Sequence, residues 1–529
     1  MTDGLKLHAR GAAFVLICAA TVAPLRSAAQ ERATGSTARE DAAAAAAAAA
    51  VITPEDFDRR IRVIADDSMR GRNTPSPELD KTAAWIAEEF SRVGLRGGGD
   101  GGGFLQRYPL EAVRLDIAAS RVRASSGREL RFGVDVVPLF GAPPDGETTG
   151  GVVLVSGSMD VEGTLPESLI AGNHAVVVRD RRRGGLDRSL FRIVGALRAA
   201  HAASVSVTDW SDDAGWAAGS ARAQRPAVRL ADGAQQSGLL LLRVRGASLA
   251  RLLQPTGVSV DELTARAGQA VRADLVEGLT LTVRTRVTSR PTSAPNVVGI
   301  LEGRDPRLKD EYVVFSGHMD HVGVGRPDAS GDSIYNGADD DASGTVTVIE
   351  VARAMAALHP RPRRSMIFLT VSGEEKGLWG SRYFVEHPPV ALDRIVADLN
   401  ADMVGRNWSD TIVAIGKEHS DLGATLARVD AAHPELHMNA IDDRWPQENF
   451  YRRSDHFNFA RRGVPILFFF NGTHEDYHRP GDEPDKINAE KASRIAKLLF
   501  YLGVEIADAD RRPQWNPESY RQIVAPGRR

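Results

Sequence analysis

The segment Gly337–Gly344 holds three consecutive aspartates, Asp339, Asp340 and Asp341, with glycine at both of its ends. Three adjacent carboxylates repel one another, so such a run is normally found on a solvated surface. Here an Ala- and Val-rich helical pattern follows at once, which predicts a buried position. A bound cation would balance the charge, since carboxylate oxygens are usual ligands of divalent metals.

Four apolar runs predict buried strands, and each leads to residue types that bind metals. They are Tyr312–Phe315 before His318 and Asp320, Met366–Val371 before Glu374 and Glu375, Ile395–Leu399 before Asp402, and Val464–Phe470 before His474 and His478. Because sites in α/β sheets form outside the carboxyl ends of the strands, we expect these side chains to converge. The competing interpretation, a solvated acidic edge with incidental histidines, does not explain why the groups follow successive strands.

The carboxylates of this predicted centre, Asp340, Glu374, Glu375 and Asp402, could not crowd together without cations, because an unpaired buried charge costs several kcal/mol. Glu374 and Glu375 are adjacent, so on an extended segment their side chains diverge. One of them can therefore bind metal while its neighbour accepts a proton.

The order of apolar runs predicts an α/β fold with two domains. From Ala294 to about Ala507, strand and helix patterns alternate, which is typical of a mostly parallel sheet sandwiched by helices. Between about residues 115 and 287, short β-type runs and many turns replace this pattern. We therefore predict a catalytic domain formed by residues 53–139 and 276–507, interrupted by a smaller β-rich insert of residues 140–275.

Residues 1–29 have the pattern of a secretory signal peptide: Lys6 and Arg10 precede an apolar run, and small residues at 27–29 offer a cleavage site. The alternative, a membrane anchor, requires a longer apolar run. We expect an exported chain, periplasmic or extracellular, with no stable membrane insertion after cleavage. Cys18 is the one cysteine of the sequence, so the cleaved chain would need neither disulfides nor thiolate ligands.

The remaining low-complexity and polar segments predict no chemistry. Residues 30–52 include nine alanines in a row and are predicted to be a linker, and residues 508–529 a polar tail. The Arg181–Arg183 run is typical of a solvated turn, with substrate contact as the alternative.

The formal net charge of −3 provides no basic field for nucleic acid, so we expect no nucleic-acid partner.

Five motifs together resemble the di-zinc aminopeptidases, a family that also includes glutamate carboxypeptidase II. The motifs are His318-Met319-Asp320, Gly337–Gly344, Gly373–Leu378, Leu399–Met403 and Tyr477-His478. Each one is modest alone, but five in the family's order form a strong joint pattern. The insert is similar, more weakly, to the protease-associated domain of many members.

The resemblance implies two zinc ions and assigns their ligands. His318 and Asp402 match the ligands of one ion, Glu375 and His478 match those of the other, and Asp340 matches the bridging carboxylate. Manganese or cobalt are alternatives in a site with so many oxygen ligands. The resemblance also implies a cis peptide bond between Asp340 and Asp341.

The resemblance further implies a catalytic mechanism. Glu374 matches the general base, which acts on a metal-bridged hydroxide as the nucleophile. Asp320 is expected to hold the second ring nitrogen of His318. Tyr477 is expected to stabilise the oxyanion, with simple packing beside the site as the alternative.

This mechanism predicts a zinc-dependent exopeptidase that hydrolyses the N-terminal peptide bond of peptides. The alternatives are a carboxypeptidase or dipeptidase of the glutamate carboxypeptidase type, or a catalytically silent binding relative such as the transferrin receptor. A glutaminyl cyclase is disfavoured because such relatives use a single zinc. The sequence does not predict the oligomeric state.

For several further residues, the sequence allows both a role near the site and a purely structural role. Asp455 and His456 match a motif near the family's pocket, or they belong to a surface turn. His321 and His474 are predicted to support the ligands or to be exposed, because five ligands already fill two sites. Candidate pocket residues are Asn336, Trp379 and Arg479, the last where relatives often carry threonine.

Overall fold

The computed structural model describes residues 28–139, 143–161, 163–181, 187–231 and 238–524. The predicted signal peptide, up to residue 27, and most of the Arg181–Arg183 run lie outside these ranges. In the described part of the chain, no helix is both long enough and apolar enough to cross a membrane.

The strands are β1 (Arg96–Gly97), β2 (Leu105–Leu115), β3 (Arg121–Ala124), β4 (Glu129–Arg131), β5 (Val136–Pro138), β6 (Gly146–Ser156), β7 (His174–Val177), β8 (Ser204–Asp209), β9 (Ala227–Leu230), β10 (Leu240–Arg245), β11 (Arg272–Thr285), β12 (Val287–Leu301), β13 (Tyr312–His318), β14 (Gly323–Val324), β15 (Ile334–Tyr335), β16 (Ser365–Val371), β17 (Ile395–Ala401), β18 (Thr411–Ile415), β19 (Asn439–Ile441) and β20 (Ile466–Phe470). The helices are α1 (Ala28–Ala49), α2 (Pro54–Ile64), α3 (Pro77–Arg92), α4 (Glu167–Ile170), α5 (Arg188–Ala199), α6 (Asp213–Ala223), α7 (Gly246–Leu253), α8 (Val260–Thr264), α9 (Gly344–Ala357), α10 (Trp379–Glu386), α11 (Leu422–Ala432), α12 (His456–Ala460), α13 (Ala489–Asp508) and α14 (Pro517–Ile523).

The first sheet belongs to the predicted catalytic domain, and its described strands run in the order β19-β18-β20-β17-β13-β16-β12-β2-β9, with β1 beside β12. The four central strands β16, β13, β17 and β20 are parallel. The neighbours β12 and β18 pair antiparallel with this central group. The α/β class is therefore confirmed, but the sheet is mixed, with parallel strands at its centre and antiparallel strands on its flanks.

Helices cover both faces of the first sheet. Along β13, Val313 and Phe315 face a core formed with α2, α3, α9, α11 and α13, whereas Val314 faces a second core formed with α10 and α12. Strands that are apolar on both faces are typical of parallel sheets buried between helices. The side chain of Thr53 caps α2 by accepting a hydrogen bond from the backbone N–H of Asp56.

The second sheet has the described order β4-β3-β11-β6-β7-β8-β10-β5, with β6, β7, β8 and β10 parallel. Helices pack on both of its faces, so the insert is an α/β unit rather than simply β-rich. Its strands β3 and β4 precede residue 140, and β11 continues to Thr285. The strand β9 instead pairs with β2 at the edge of the first sheet. The domain limits at 140 and 275 stay a prediction, although the hydrogen bonds of the second sheet extend beyond them.

The segments predicted to be a linker and a polar tail both contain helices. Much of the predicted linker at residues 30–52 lies in α1, and Ala48 and Ala49 are buried against the catalytic core. Alanine has the highest helix propensity, and its small side chain permits close packing, so no larger apolar residue is needed here. In the predicted tail, α14 begins at Pro517, and the indole N–H of Trp515 donates to the carbonyl of Gly463 at 2.9 Å.

Candidate metal centre

The central strands of the first sheet deliver the predicted ligands to one edge. The strand β13 ends at His318, β17 ends one residue before Asp402, and β16 ends shortly before Glu374 and Glu375. His478 follows β20. The aspartate run lies directly before α9, so the convergence expected from the sequence is what the structure shows.

The ligand atoms form two groups that share Asp340. In the first group, His318 Nε2 lies 3.2 Å from Asp340 Oδ1 and 3.6 Å from Asp402 Oδ1. In the second group, His478 Nε2 lies 3.0 Å from Asp340 Oδ2 and 3.1 Å from Glu375 Oε2. Within each group the candidate ligand atoms all lie within 4.8 Å of one another. A carboxylate common to both groups is the arrangement that a bridging ligand requires.

The second group contains a further histidine, His321. Its Nδ1 lies 2.8 Å from Glu375 Oε1 and 3.6 Å from Asp340 Oδ2, and its side chain is fully buried. The sequence predicted that His321 supports the ligands or is exposed, because five ligands already fill two sites. The structure instead places His321 inside the second ligand group. Its position directly after Asp320, three residues after His318, was the available signal.

The donor atoms suit a metal ion. Asp340 Oδ2, Glu375 Oε1 and both ring nitrogens of His321 are buried without a hydrogen-bond partner among the described residues. Buried polar atoms normally have such a partner, so these atoms lack a group that would satisfy them. Imidazole nitrogens and carboxylate oxygens are the ligands that zinc takes in oxygen-rich sites.

The electrostatic environment of the second ligand group favours ionised carboxylates paired with histidines. Burial alone would raise the pKa of Asp340, but His321, His318 and His478 outweigh burial and hold it well below its usual range. Burial likewise opposes ionisation of Glu375, yet His321 and His478 lower its pKa to about 2. Burial would lower the pKa of His478, but the carboxylates of Asp340 and Glu375, 3.0 and 3.1 Å from its Nε2, raise it to about 10. The carboxylates are therefore deprotonated, as metal binding needs, whereas His478 must release a proton before it can bind a metal ion.

Glu374 differs from its neighbour Glu375. Its carboxylate makes no hydrogen bond or ion pair with a described residue, and burial raises its pKa well above the usual value. It faces a pocket beside the two ligand groups. The pocket is lined by His318, Asp340, Glu374, Asp402, Met403, Phe450, Arg453, Ser454, Phe468, Phe470, Thr473 and Tyr477. A carboxylate with no partner and a raised pKa suits a group that accepts and returns a proton.

Comparison with known proteins places this centre in a family. Residues 296–503 match the model of peptidase family M28. This segment is an M28 peptidase domain. The match agrees with the di-zinc aminopeptidase family that the sequence motifs resemble.

The chain is similar to curated relatives over part of their length. A probable zinc metalloprotease of Pyricularia oryzae is 26% identical over 280 residues, which cover 44% of this chain and 54% of that protein. Aminopeptidase YwaD of Bacillus subtilis is 23% identical over 283 residues, covering 49% of this chain and 53% of that protein. The matched regions therefore span about half the length of these relatives.

A solved structure supports the fold. The crystal structure of a zinc aminopeptidase from Bacillus subtilis is 16% identical, with a TM-score of 0.50, and the alignment covers 87% of this chain and 97% of that one. At this identity the likeness concerns the fold alone.

Backbone contacts hold the aspartate run of the M28 domain in place. The carboxylate of Asp341 accepts hydrogen bonds from the backbone N–H groups of His318 at 3.1 Å, Gly344 at 2.7 Å and Met403 at 3.1 Å. A Cβ on Gly344 would lie 2.1 Å from the carbonyl oxygen of Ala401, so only glycine fits. The Asp340–Asp341 peptide bond is cis, as the resemblance implies.

Asp320 does not make the predicted contact with its carboxylate. Its Oδ1 lies 3.8 Å from His318 Nδ1, beyond hydrogen-bond distance, whereas its backbone carbonyl lies 3.1 Å from that nitrogen. The Asp320 carboxylate instead accepts hydrogen bonds from the Thr74 hydroxyl at 2.7 Å and the Glu374 backbone N–H at 3.3 Å. It therefore links the loop of the ligand His318 to the loop of Glu374.

Three further candidate residues of the M28 domain are Asp455, His456 and His474. Asp455 accepts a hydrogen bond from the Ser381 hydroxyl at 2.5 Å, and His456 Nε2 lies 2.8 Å from the Tyr451 carbonyl, so both are buried rather than in a surface turn. His474 Nε2 lies 3.3 Å from Asp339 Oδ2.

The three candidate pocket residues do not line the pocket beside the ligands. The side-chain amide of Asn336 donates to the Ala65 carbonyl and to Asp67, both at 2.9 Å. Trp379 is buried at the start of α10, and Arg479 is exposed. The sequence placed these residues near the motifs, but it could not show the direction of their side chains.

Proposed function

We propose that this chain is a zinc-dependent aminopeptidase that holds two zinc ions. One observation carries the proposal: two groups of histidine and carboxylate donors share Asp340 and lie beside the Glu374 carboxylate, which has no partner among the described residues. His318, Asp340 and Asp402 would hold one ion, while Asp340, Glu375 and His478 would hold the other, with His321 next to them. When bound, zinc polarises a carbonyl oxygen and lowers the pKa of a coordinated water.

The chain's own residues then supply proton transfer and positioning. Glu374 accepts a proton from the attacking water and returns it to the leaving amine, a task that suits its raised pKa. The hydroxyl of Tyr477 has no hydrogen-bond partner among the described residues and lines the same pocket, so it can donate to the developing oxyanion. Burial raises the pKa of Tyr477, so the hydroxyl keeps its proton.

The residues that line the pocket also support a second candidate function, that of a carboxypeptidase or dipeptidase. Its walls are apolar at Met403, Phe450, Phe468 and Phe470, and Arg453 adds a cation. The Arg453 guanidinium lies 4.5 Å from the centroid of the buried Phe450 ring and 3.9 Å from the carboxylate of Glu448. An arginine can bind a substrate carboxylate, which supports a carboxypeptidase or dipeptidase.

One experiment separates these activities. The zinc-loaded chain would be incubated with a single apolar peptide in three forms, unmodified, N-acetylated and C-amidated, and the products identified by chromatography. An aminopeptidase removes the first residue from the unmodified and amidated forms and leaves the acetylated form intact. Trimming of the acetylated peptide at its carboxyl end would replace our proposal with the carboxypeptidase, and no cleavage would favour the silent binding relative.

We further propose that the chain is exported, with the insert serving as a protease-associated-like domain. The export proposal is supported by the charged, apolar and small-residue order of residues 1–29. Mass determination of the N-terminus of the protein from a bacterial host tests it. A chain that begins at Met1 and stays in the cytoplasm would contradict it.

A further inference from the structure

Arg72 is a buried arginine next to the metal centre, and its side chain has no solvent exposure. Its guanidinium donates four hydrogen bonds, all of them to backbone carbonyls. The acceptors are the carbonyls of Met319 at 2.8 Å, Ile64 at 2.9 Å, Asn336 at 2.6 Å and Gly337 at 3.0 Å. No ion pair joins it to a described residue, so its hydrogen bonds go to carbonyl dipoles.

Three of these four acceptors lie on the two loops that carry the candidate ligands His318 and Asp340. Met319 stands between His318 and Asp320, in the loop after β13. Asn336 and Gly337 precede the aspartate run and its bridging carboxylate. One guanidinium therefore bridges these two loops, which are also joined by the short β14–β15 ladder and by the hydrogen bond from the His318 backbone N–H to Asp341.

The backbone around Arg72 is fitted closely to the same loops. The backbone N–H of His321 donates to the carbonyl of Arg72 at 3.4 Å. Gly71 has a φ of 65°, and a Cβ there would lie 2.4 Å from the carbonyl oxygen of Tyr335 and 2.7 Å from that of Gly323. The segment before Arg72 therefore has little freedom to move relative to the ligand loops.

Arg72 also places a permanent positive charge beside a cluster of carboxylates. Burial lowers its pKa to about 10, while Asp320 and Asp340 oppose this change, so the side chain is charged at neutral pH. Before a metal ion arrives, the carboxylates repel one another, and a nearby cation reduces this repulsion. The charge and the hydrogen bonds act in the same direction, toward a preformed site.

We propose that Arg72 is a positioning residue that holds the loops of His318 and Asp340 in the geometry that binds the metal pair. This inference deepens the proposed function and rests on it. Arg72 precedes the segment 296–503 that matches the M28 family, so it links the ligand loops to the N-terminal part of the chain. Groups that orient metal ligands typically change metal affinity about 10- to 100-fold when they are removed.

The test measures zinc affinity, not activity. Arg72→Gln keeps a polar side chain but removes the charge and most of the donors. The matched control is Arg364→Gln, because Arg364 is equally buried and also donates to backbone carbonyls, those of Ile506, Ala507 and Ala509, at the start of β16 and far from the ligands. Zinc dissociation constants would be measured by competition with a chromophoric chelator.

We expect Arg72→Gln to raise the zinc dissociation constant about 10- to 100-fold and Arg364→Gln to change it by less than about threefold. A folded Arg72→Gln protein with the wild-type constant would overturn the inference. If the wild-type chain itself binds no zinc, the proposed function fails instead, and the two failures are thus distinguished. Equal losses in both variants would show a general effect on stability and would also overturn the inference.

A second pair of variants covers the case in which Arg72→Gln does not fold. Arg72→Lys keeps the charge, but an ammonium group cannot donate to both loops in the same geometry. We expect its Co²⁺-loaded form to show a changed visible absorption spectrum, whereas Arg364→Lys keeps the wild-type spectrum. An unchanged spectrum in Arg72→Lys, or failure of every Arg72 variant to fold, would contradict a role specific to the metal site.

Discussion

The two sheets of this protein share an architecture and differ at the ends of their strands. Both have a parallel centre and helices on both faces. At the carboxyl end of the second sheet, polar side chains are matched in pairs: Ser158 Oγ lies 3.0 Å from Ser189 Oγ, and Arg179 pairs with Asp187. At the first sheet, carboxylates face histidines and one another, and several donors stay unsatisfied.

This contrast shows that the topology provides a location and the side chains provide the chemistry. Among the described residues, both groups that could hold a metal ion lie at the first sheet. In the second sheet, carboxylates near the strand ends pair with arginines, as for Asp209 with Arg243 and Asp160 with Arg192, both at 3.0 Å. A cation supplied by the protein removes the need for a metal ion.

The largest effect is expected at Asp340, which both ligand groups share. Asp340→Asn should abolish stoichiometric binding of both zinc ions and all measurable peptidase activity, because an amide is a poor bridging ligand. Asp402→Asn, which alters one group only, should leave about one ion bound. Elemental analysis after dialysis measures both numbers. Two bound ions in Asp340→Asn would show that the carboxylate is not shared.

The variant Glu374→Gln tests whether proton transfer can be removed at the first sheet while metal binding is kept. We expect kcat to fall about 10²- to 10⁴-fold, because the amide cannot accept a proton, while the bound zinc is unchanged. Steady-state kinetics and zinc analysis on the same sample check this. Near-normal turnover with both ions bound would remove Glu374 from the mechanism and weaken the contrast between the two sheets.

A smaller, pH-dependent effect is expected inside the first sheet at Asp398. Its Oδ1 accepts a hydrogen bond from Ser316 at 2.7 Å, its Oδ2 has no partner among the described residues, and burial raises its pKa to about 8. The folded state therefore binds the proton more tightly than the unfolded state. The contribution to stability is complete below about pH 4 and is lost as the pH rises toward 8.

Asp398→Asn removes this titration, so its unfolding free energy should rise relative to wild type by up to about 1.4 kcal/mol per pH unit within that window. Denaturant unfolding from pH 4 to pH 9 measures the difference. The control is Asp393→Asn, which removes an exposed carboxylate shortly before the same strand. A flat difference at Asp398 would show that its carboxyl group is not held protonated.

The smallest effect is expected in the second sheet. Ser158→Ala removes a hydroxyl at its strand ends, and zinc content and kcat/KM should both stay within about twofold of wild type. A larger change in either would contradict the assignment of all metal chemistry to the first sheet. It would also indicate that the insert contributes to the active site.

Much of the site was predictable because its donors follow strands whose apolar patterns are visible in the chain. The strand rule predicted that the donors converge, and the resemblance to the di-zinc family assigned the candidate ligand set His318, Asp340, Glu375, Asp402 and His478. The pairing of β9 with the first sheet was not predictable, since a four-residue edge strand carries little local pattern. The same limit applies to the alanine-rich helix α1, whose burial depends on its neighbours.

The sequence by itself determined the α/β class, the donor types and the family resemblance, because these depend on local periodicity and short motifs. The tertiary structure alone decided that His321 joins the second ligand group, that the backbone rather than the carboxylate of Asp320 contacts His318, and that Arg72 binds two ligand loops. Arg72 and Gly337 are separated by 265 positions. A contact of that kind depends on how distant loops meet in space, and local patterns in the chain carry no information about it.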